Sequence, residues 1–354
     1  MIVPLRSIQI VFMALWLVKL ITFVIIKTYF PDWILQLGGD ADFYDDFAHG
    51  CYSDGHAASV WPIFLNYLSS LGFYSRQIVS WVLFVLATLI IPFLFASLLP
   101  RTKNATYGEI TYWYIAVIVS LYPTLFAYSF DIYRDVPIIF IFGACLLLAR
   151  DICMKWDITN IVKIVCFLSL TYMLYSLRDY LGFSLVAATL LFSIYRLRMN
   201  LASLFFGYLG ILLMSHYLGL FDPLLQYRSR DVFIGGGSTL GIKLISTNSF
   251  EFIAGYLSSV LLQLLGLYLT SIKALFVFVF ETLSFIAGCY YIVKNRKYMT
   301  PFLWWLVFIS VAYGTIWIMG NDNLGTAVRL RIYNYLIVLI VAASVFLQKQ
   351  YTHE

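Results

Sequence analysis

Long apolar runs separated by short polar segments dominate the pattern of this chain. The first run, from about Ile8 to Ile26, is too long for a signal-peptide core and has no small-residue cleavage site after it, so we interpret it as a retained anchor. Because a helix rises about 1.5 Å per residue, about 20 apolar residues cross the hydrocarbon layer. Applied along the chain, this criterion predicts ten membrane-spanning helices. Their approximate bounds are 8–26, 78–99, 110–129, 136–149, 162–177, 181–195, 201–221, 274–293, 301–319 and 332–347.

Two further apolar segments are predicted to lie at the outer surface. Pro62 to Phe73 is amphipathic and is expected to lie along the membrane or re-enter it. Ala254 to Ile272 is treated in the same way, because a crossing there would place Lys294, Arg296 and Lys297 outside, against the positive-inside rule. The predicted fold is therefore an all-α, polytopic helix bundle of about ten spans. Both termini lie inside, and residues 1–354 form a single membrane domain.

Composition agrees with this class. Hydrophobic residues make up 62% of the chain and the mean hydropathy is +0.87, well above the values usual for soluble domains. Aromatic residues, at 19%, suit the belts at the two membrane interfaces. The five cysteines form no Cys-x-x-Cys pair, so neither a disulfide framework nor a zinc site is indicated. We expect membrane lipid around the chain and no nucleic-acid partner.

Charge is concentrated in the first outer loop. Four carboxylates and a histidine lie within ten residues: Asp40, Asp42, Asp45, Asp46 and His49. If Asp40 caps a helix, the helical period places Asp42, either Asp45 or Asp46, and His49 on one face, which we expect to line a water-filled cavity. We therefore predict the four aspartates as catalytic residues and His49 as an accompanying one. The alternative is a solvated acidic loop that only keeps this segment soluble.

Arginines form a second pattern at the same predicted membrane face. Three Arg-Asp steps and two further arginines carry it: Arg134-Asp135, Arg178-Asp179, Arg230-Asp231, Arg329 and Arg331. Guanidinium groups bind phosphate oxygens in a bidentate manner, so we predict these five arginines as contacts for a substrate phosphate. The alternative is that each arginine pairs with the adjacent aspartate or reaches the lipid headgroups.

Two other features bear on the site. Glu281 lies inside an apolar run, where a carboxylate needs a partner or water, and it is predicted either to support the site or to pack in the protonated form. Lys19 is one possible partner. Gly235-Gly236-Gly237 lacks the context of a phosphate loop and is expected to be a hinge over the substrate or a plain turn.

Three segments resemble a known class of enzyme. They are GGDADFYDDFAHG followed by WPIFLNYLSSLGF, then LYPTLFAYSFDIYRD, and the closing GNDNLGTAVRLRIYNYL. They are similar to membrane glycosyltransferases of the GT-C superfamily that build bacterial surface polysaccharides, over the first 150 residues and the last 40. The resemblance implies a polyprenyl-phosphate-linked sugar donor, a lipid-linked or glycan acceptor, and transfer on the outer side of the bacterial inner membrane. It also implies an essential carboxylate in the first outer loop, by position Asp40 or Asp42.

The chemistry expected is glycosyl transfer, in which a carboxylate deprotonates the acceptor hydroxyl and arginines stabilise the phosphate leaving group. Asp40 and Asp42 could instead hold a divalent cation, Mg²⁺ or Mn²⁺, which we rank below the base. GT-C enzymes often carry a soluble domain after the spans, whereas this sequence ends soon after the last one. That departure keeps an O-antigen or capsule polymerase as a second interpretation. A transporter or flippase for lipid-linked oligosaccharides is the alternative of another class, and paired broken helices around a central cavity would favour it.

Overall fold

The computed structural model describes residues 5–30, 39–57, 59–100, 105–154, 159–195, 201–229, 239–245, 248–269 and 271–351. Within these ranges the regular structure is helical. The helices are α1 Leu5–Tyr29, α2 Asp40–Ala48, α3 Val60–Ser70, α4 Arg76–Ala96, α5 Ala105–Ser120, α6 Pro123–Ala127, α7 Asp135–Met154, α8 Thr159–Leu177, α9 Asp179–Tyr195, α10 Leu201–Tyr217, α11 Asp222–Arg228, α12 Ser249–Leu264, α13 Ile272–Lys294, α14 Pro301–Gly320 and α15 Leu324–Tyr351.

Six of the described helices are long and apolar enough to cross a membrane: α1, α4, α8, α13, α14 and α15. Helices α10 and α11 meet the same criterion as a pair bent by 76°, which would make a seventh span. Helices α9 and α12 are apolar but shorter. The all-helical class is thus confirmed for the described residues, which contain six candidate membrane-spanning helices, whereas the count of ten spans is not confirmed.

Two predicted spans have different bounds in the structure. The span expected over 110–129 is divided, because Pro123 has no N–H and holds Tyr122 in an extended conformation with ψ 110°. The last helix begins at Leu324 rather than near Ile332, because the Asn323 side chain accepts the N–H of Thr326 at 3.0 Å and caps it there.

The described helices belong to two compact units. The first comprises residues 1–182, 291–298 and 339–354, and the second comprises residues 183–290 and 299–338.

Aromatic packing organises the part of the first unit that matters for the site. Phe23 of α1, Phe84 of α4 and Phe130, which precedes α7, are buried together. The ring of Phe23 lies 4.4 Å from that of Phe84 and 5.4 Å from that of Phe130, centroid to centroid. Aromatic contacts at this separation add to the burial of apolar area. They therefore fix the N-terminal half of α4 beside the turn at 128–134.

The second unit is built around α14. Tyr313 and Trp317 of this helix are buried against α15, where Nε1 of Trp317 donates to Oδ1 of Asn334 at 3.1 Å. Asn334 in turn donates to the carbonyl of Ser310 at 2.6 Å. Buried polar side chains are stable only when they are hydrogen-bonded, and these bonds satisfy that requirement within an apolar interior.

Among the described helices, three contain a π turn: Leu86–Ile90 in α4, Val260–Leu264 in α12 and Phe278–Thr282 in α13. The turn in α4 lies immediately before Pro92, whose missing N–H cannot bond to the carbonyl of Thr88. Such turns accommodate one residue beyond the α-helical repeat and are frequent at functional sites.

Candidate functional site: a carboxylate and arginine cluster at the start of α4

The acidic loop forms a helix, as its spacing predicts. Helix α2 begins at Asp40, one residue earlier than expected, so Gly39 is the N-cap and Asp40 lies in the first turn without capping it. Helix α2 packs on α3, where Nδ2 of Asn66 donates to the carbonyl of Phe47 at 3.0 Å. Acidic residues in the first turn are favourable because the helix dipole is positive there.

A tryptophan fixes α3 to the turn before α7. Nε1 of Trp61 donates to the backbone carbonyl of Ile132 at 2.8 Å, and its side chain is buried. The neighbouring residue, Asp131, is thereby held next to the α2–α3 pair.

Arg76 joins these parts. It is the first residue of α4, directly after its N-cap Ser75. Its Nε and Nη2 donate to Oδ1 and Oδ2 of Asp131 at 2.9 and 2.6 Å, which makes a bidentate pair. Nη2 also donates to Oδ1 of Asp42 at 2.8 Å, and Nη1 reaches Oδ2 of Asp45 at 3.5 Å. One guanidinium therefore contacts three carboxylates from two different segments.

Exposure increases across this cluster. The side chain of Asp131 is 5% exposed, those of Asp45 and Arg76 are 24% and 29% exposed, and that of Asp42 is 49% exposed. Ion pairs gain strength as water is excluded from them. The pair between Asp131 and Arg76 is thus the fixed base of the site, and Asp42 lies at its open rim.

Asp45 has a further set of contacts. The hydroxyl of Tyr74 donates to its Oδ1 at 2.5 Å. The pKa of Tyr74 is raised, first because burial disfavours the phenolate and then because the neutral hydroxyl donates a hydrogen bond to Asp45. Nδ1 of His49 lies 2.8 Å from the backbone carbonyl of Asp45 and 3.7 Å from Oδ1, on a ring that is 60% exposed. Since a carbonyl only accepts, Nδ1 of His49 carries the proton.

The charges of the cluster are nearly balanced. Lys27, near the end of α1, interacts electrostatically with Asp131 and Arg76. Two cations therefore face the three carboxylates of Asp42, Asp45 and Asp131. Such a mixed site can bind an anion at the guanidinium and can accept a proton at an exposed carboxylate.

The remaining predicted aspartates lie on the same helix. Asp46 is exposed, and Asp40 is half-buried in the first turn. Among the described residues, no three His, Cys, Asp or Glu side chains are grouped as metal ligands. The suggested cation ligand Asp42 is instead bound by Arg76, so a divalent cation there would have to compete with the guanidinium.

Two of the predicted arginines lie elsewhere in the first unit. Nη2 of Arg178 is 2.8 Å from Oδ1 of Asp135, with both side chains buried, so Arg178 pairs with the aspartate of another Arg-Asp step. Nη1 of Arg134 donates to the carbonyl of Leu177 at 3.3 Å, at the end of α8. The ion pair of Arg178 thus joins residues 43 positions apart, while the adjacent Asp179 accepts the N–H of Tyr180 at 2.9 Å.

The predicted Arg230, together with Asp231 and the run Gly235-Gly236-Gly237, lies outside the described residues. Its neighbour Arg228, which was not predicted, forms a buried ion pair in the second unit. Nη2 of Arg228 is 2.5 Å from Oδ1 of Asp322, and Nη1 donates to the carbonyl of Ile318 at 2.8 Å. Oδ2 of Asp322 also accepts the N–H of Gly241 at 2.8 Å.

The last two predicted arginines do not end a loop, which corrects the expected position. Arg329 and Arg331 lie inside α15, because the cap at Asn323 starts that helix before them. Arg331 is 4% exposed, and its guanidinium lies against Gly266 and over the ring of Tyr335 at 5.4 Å.

Glu281 is fully buried in the π turn of α13. Its suggested partner Lys19 donates instead to the carbonyl of Ser120. Sequence reasoning missed Arg76, Asp131, Tyr74 and Lys27. The available signal was an arginine at the first position of an apolar run that follows an acidic loop.

No protein-family model, curated protein or solved structure is significantly similar to this chain. The class rests on the fold and the site: the described part of the chain is helical, contains six candidate membrane spans, and has a carboxylate and guanidinium cluster at the start of one of them. The described residues include one bent helix pair that meets the span criterion, α10 and α11, and one predicted span divided at Pro123. No central cavity between them is described, so the transporter interpretation stays a prediction.

Proposed function

We propose that this protein is a glycosyltransferase of the bacterial inner membrane that uses a polyprenyl-phosphate-linked sugar to build or modify a surface polysaccharide such as O-antigen or capsule. The observation that carries the proposal is the contact of Arg76 with Asp42, Asp45 and Asp131. The half-exposed carboxylate of Asp42 and the guanidinium of Arg76 lie side by side, at the start of a helix that is apolar enough to lie in a bilayer. In this proposal the carboxylate is the base and the guanidinium binds the phosphate.

The proposed step follows from these positions. The carboxylate of Asp42 takes the proton of the acceptor hydroxyl. The acceptor oxygen forms a bond to the anomeric carbon, and the bond from that carbon to the phosphate oxygen breaks. The electron pair leaves with the polyprenyl phosphate, whose additional charge Arg76 and Lys27 stabilise. The acceptor is a lipid-linked sugar or a glycan.

The proposal includes the ten-span topology with both termini inside. It places α2, α3 and the start of α4 at the periplasmic face, where a lipid-anchored donor and a water-soluble glycan can both reach the cluster. Exposed apolar side chains on α1, such as Ile10 at 67% and Val18 at 60%, suit contact with lipid.

The test is complementation of a strain that lacks this protein, with the surface glycan analysed by gel and mass spectrometry. Asp42→Asn and Arg76→Gln are each expected to lower transfer by about 100-fold or more, the usual effect of losing a general base or an electrostatic contact. Asp46→Asn is the matched control, because this aspartate lies exposed on the same helix.

The outcomes separate the alternatives. If one sugar is missing from every repeat unit, the transferase is supported. If single unpolymerised units accumulate, the protein is a polymerase. If Asp42→Asn and Arg76→Gln variants that insert normally both restore a normal glycan, the cluster is not a catalytic site.

A further inference from the structure

Three carboxylates take four of the five N–H donors of the Arg76 guanidinium, and they differ in how firmly they are held. Asp131 occupies Nε and one side of Nη2. Asp42 is bound at Nη2 and Asp45 at Nη1. A substrate phosphate that binds bidentately across Nη1 and Nη2 meets Asp42 or Asp45 and has to displace it.

Asp42 is the carboxylate that leaves most easily. Asp131 is almost fully buried and bidentate, and it also accepts the N–H of Ile132 at 2.9 Å. Asp45 is held by the hydroxyl of Tyr74. Within the described part of the chain, the one hydrogen bond of the Asp42 side chain is the one from Arg76, and this side chain is half-exposed. Exposed ion pairs contribute little to stability, so this contact is readily exchanged.

We propose that Asp42 is an exchangeable cap on Arg76, displaced when the phosphate of a polyprenyl-phosphate lipid binds there. This inference rests on the proposed function and deepens it. A phosphate offers several oxygens to the guanidinium and so competes well with a single carboxylate oxygen. Displacement frees the Asp42 carboxylate to meet the acceptor hydroxyl, so the base becomes available only when the donor is bound.

The same exchange assists product release. After transfer, Asp42 carries the proton of the acceptor and is neutral, so it does not compete for Arg76. Once this proton passes to water, the carboxylate is charged again and returns to Nη2. It then competes with the polyprenyl phosphate for Arg76, in the reverse of the exchange that admitted the donor.

Binding of a simple probe tests the exchange. The full chain in lipid nanodiscs is titrated with farnesyl phosphate, and Kd is measured by calorimetry. Asp42→Ala is expected to lower Kd about fivefold, since it removes a competing ion pair. Asp131→Asn is expected to raise Kd, because it releases the fixed edge of Arg76. Asp46→Ala is the matched control and should leave Kd unchanged.

A double variant and two further probes sharpen the result. In an Arg76→Gln background, Asp42→Ala should have no effect on Kd, because the two residues then no longer interact. Farnesol should bind equally to the wild type and to Asp42→Ala. An equal gain for inorganic phosphate would overturn the assignment to a lipid-anchored phosphate. Asp42→Asn, which retains the shape of the side chain, provides a second test if Asp42→Ala inserts poorly.

The failure of this inference is distinguishable from that of the proposed function. If Asp42→Ala and Asp42→Asn bind farnesyl phosphate no more tightly than the wild type while the glycan is lost, Asp42 is a base but not a cap. If the glycan is normal in these variants, the proposed function itself is wrong, whatever the binding result.

Discussion

Nη2 of Arg178 lies 2.8 Å from Oδ1 of Asp135, and both side chains are about 95% buried. The two residues come from different Arg-Asp steps, 43 positions apart in the chain. Asp135 begins α7, where the helix dipole favours a negative charge, and Arg178 lies between α8 and α9. Within the first unit, this pair connects the start of α7 to the end of α8, which indicates a structural role for Arg178.

Removing one member of that pair should destabilise the protein strongly. Arg178→Met leaves the carboxylate of Asp135 buried without its guanidinium, which typically costs roughly 3–5 kcal/mol. Thermal unfolding of the purified protein should show a lower midpoint. The double variant Arg178→Met with Asp135→Leu should recover much of the loss, since no isolated charge remains. If the double variant is stable but inactive, Arg178 contacts substrate after all.

Arg228 should be irreplaceable by lysine. Its guanidinium reaches Asp322 and the carbonyls of Ile318 and Ile242 at once, and an ammonium group lacks that fork. We expect Arg228→Lys to cost about 2–4 kcal/mol, measured by thermal unfolding. Ser229→Ala, at the exposed neighbouring position, should be close to neutral. Equal stability of both variants would show that the buried network is dispensable.

Gly266 and Gly72 form a matched pair for testing the site of Arg331. Both have positive φ, at +60° and +76°, so alanine is strained at either position. A Cβ at Gly72 meets open space, whereas one at Gly266 meets the guanidinium of Arg331. Gly72→Ala should therefore cost about 1 kcal/mol and Gly266→Ala distinctly more. Similar unfolding midpoints for the two variants would contradict the packing of Arg331 described above.

Trp61→Phe should weaken the support of the cluster. The substitution keeps an aromatic ring but removes the N–H that binds the carbonyl of Ile132, next to Asp131. A buried carbonyl without its donor costs about 1–3 kcal/mol. We expect lower stability and lower glycan transfer together. Activity that falls without any change in the unfolding midpoint would place Trp61 in contact with substrate instead.

Alkaline pH should reveal the contact between Tyr74 and Asp45. Because the folded-state pKa of Tyr74 is raised, its contribution to stability is present below the ordinary pKa of about 10 and is lost as the pH rises toward the folded value. The wild type should thus lose more stability between about pH 9 and 11 than Tyr74→Phe does. Unfolding midpoints of the two proteins across this range measure the difference, and parallel curves would exclude the effect.

The sequence predicted helices best where the environment is uniform. Helices α4 and α14 lie close to their expected bounds, because the length of an apolar run is set by the thickness of the hydrocarbon layer that it would cross. The start of α15 was missed because Arg329 and Arg331 look like loop residues. Arg331 is buried against Gly266 and Tyr335 rather than against lipid, and hydropathy carries no information on such partners.

The candidate site was foreseen in part for a similar reason. Four aspartates close together are conspicuous in an apolar chain, and two of them, Asp42 and Asp45, belong to the cluster. A single arginine at the head of a span is not conspicuous, so Arg76 was missed. The adjacency of Arg178 and Asp179 in the sequence also suggested the wrong partner, because the ion pair of Arg178 forms with Asp135. Pairing of this kind depends on packing between helices, which no local pattern encodes.

The π turn at Leu86–Ile90 takes up one residue more than a regular α-helical turn. Because the widened turn absorbs this residue locally, the charged start of α4 keeps its orientation relative to the apolar part beyond the turn. The direction of the Arg76 guanidinium toward Asp131 thus depends on the length of a hydrophobic stretch as well as on the charged residues. A one-residue deletion in a regular turn of α4, where nothing absorbs it, would rotate Arg76 by about 100° and point it away from its carboxylates.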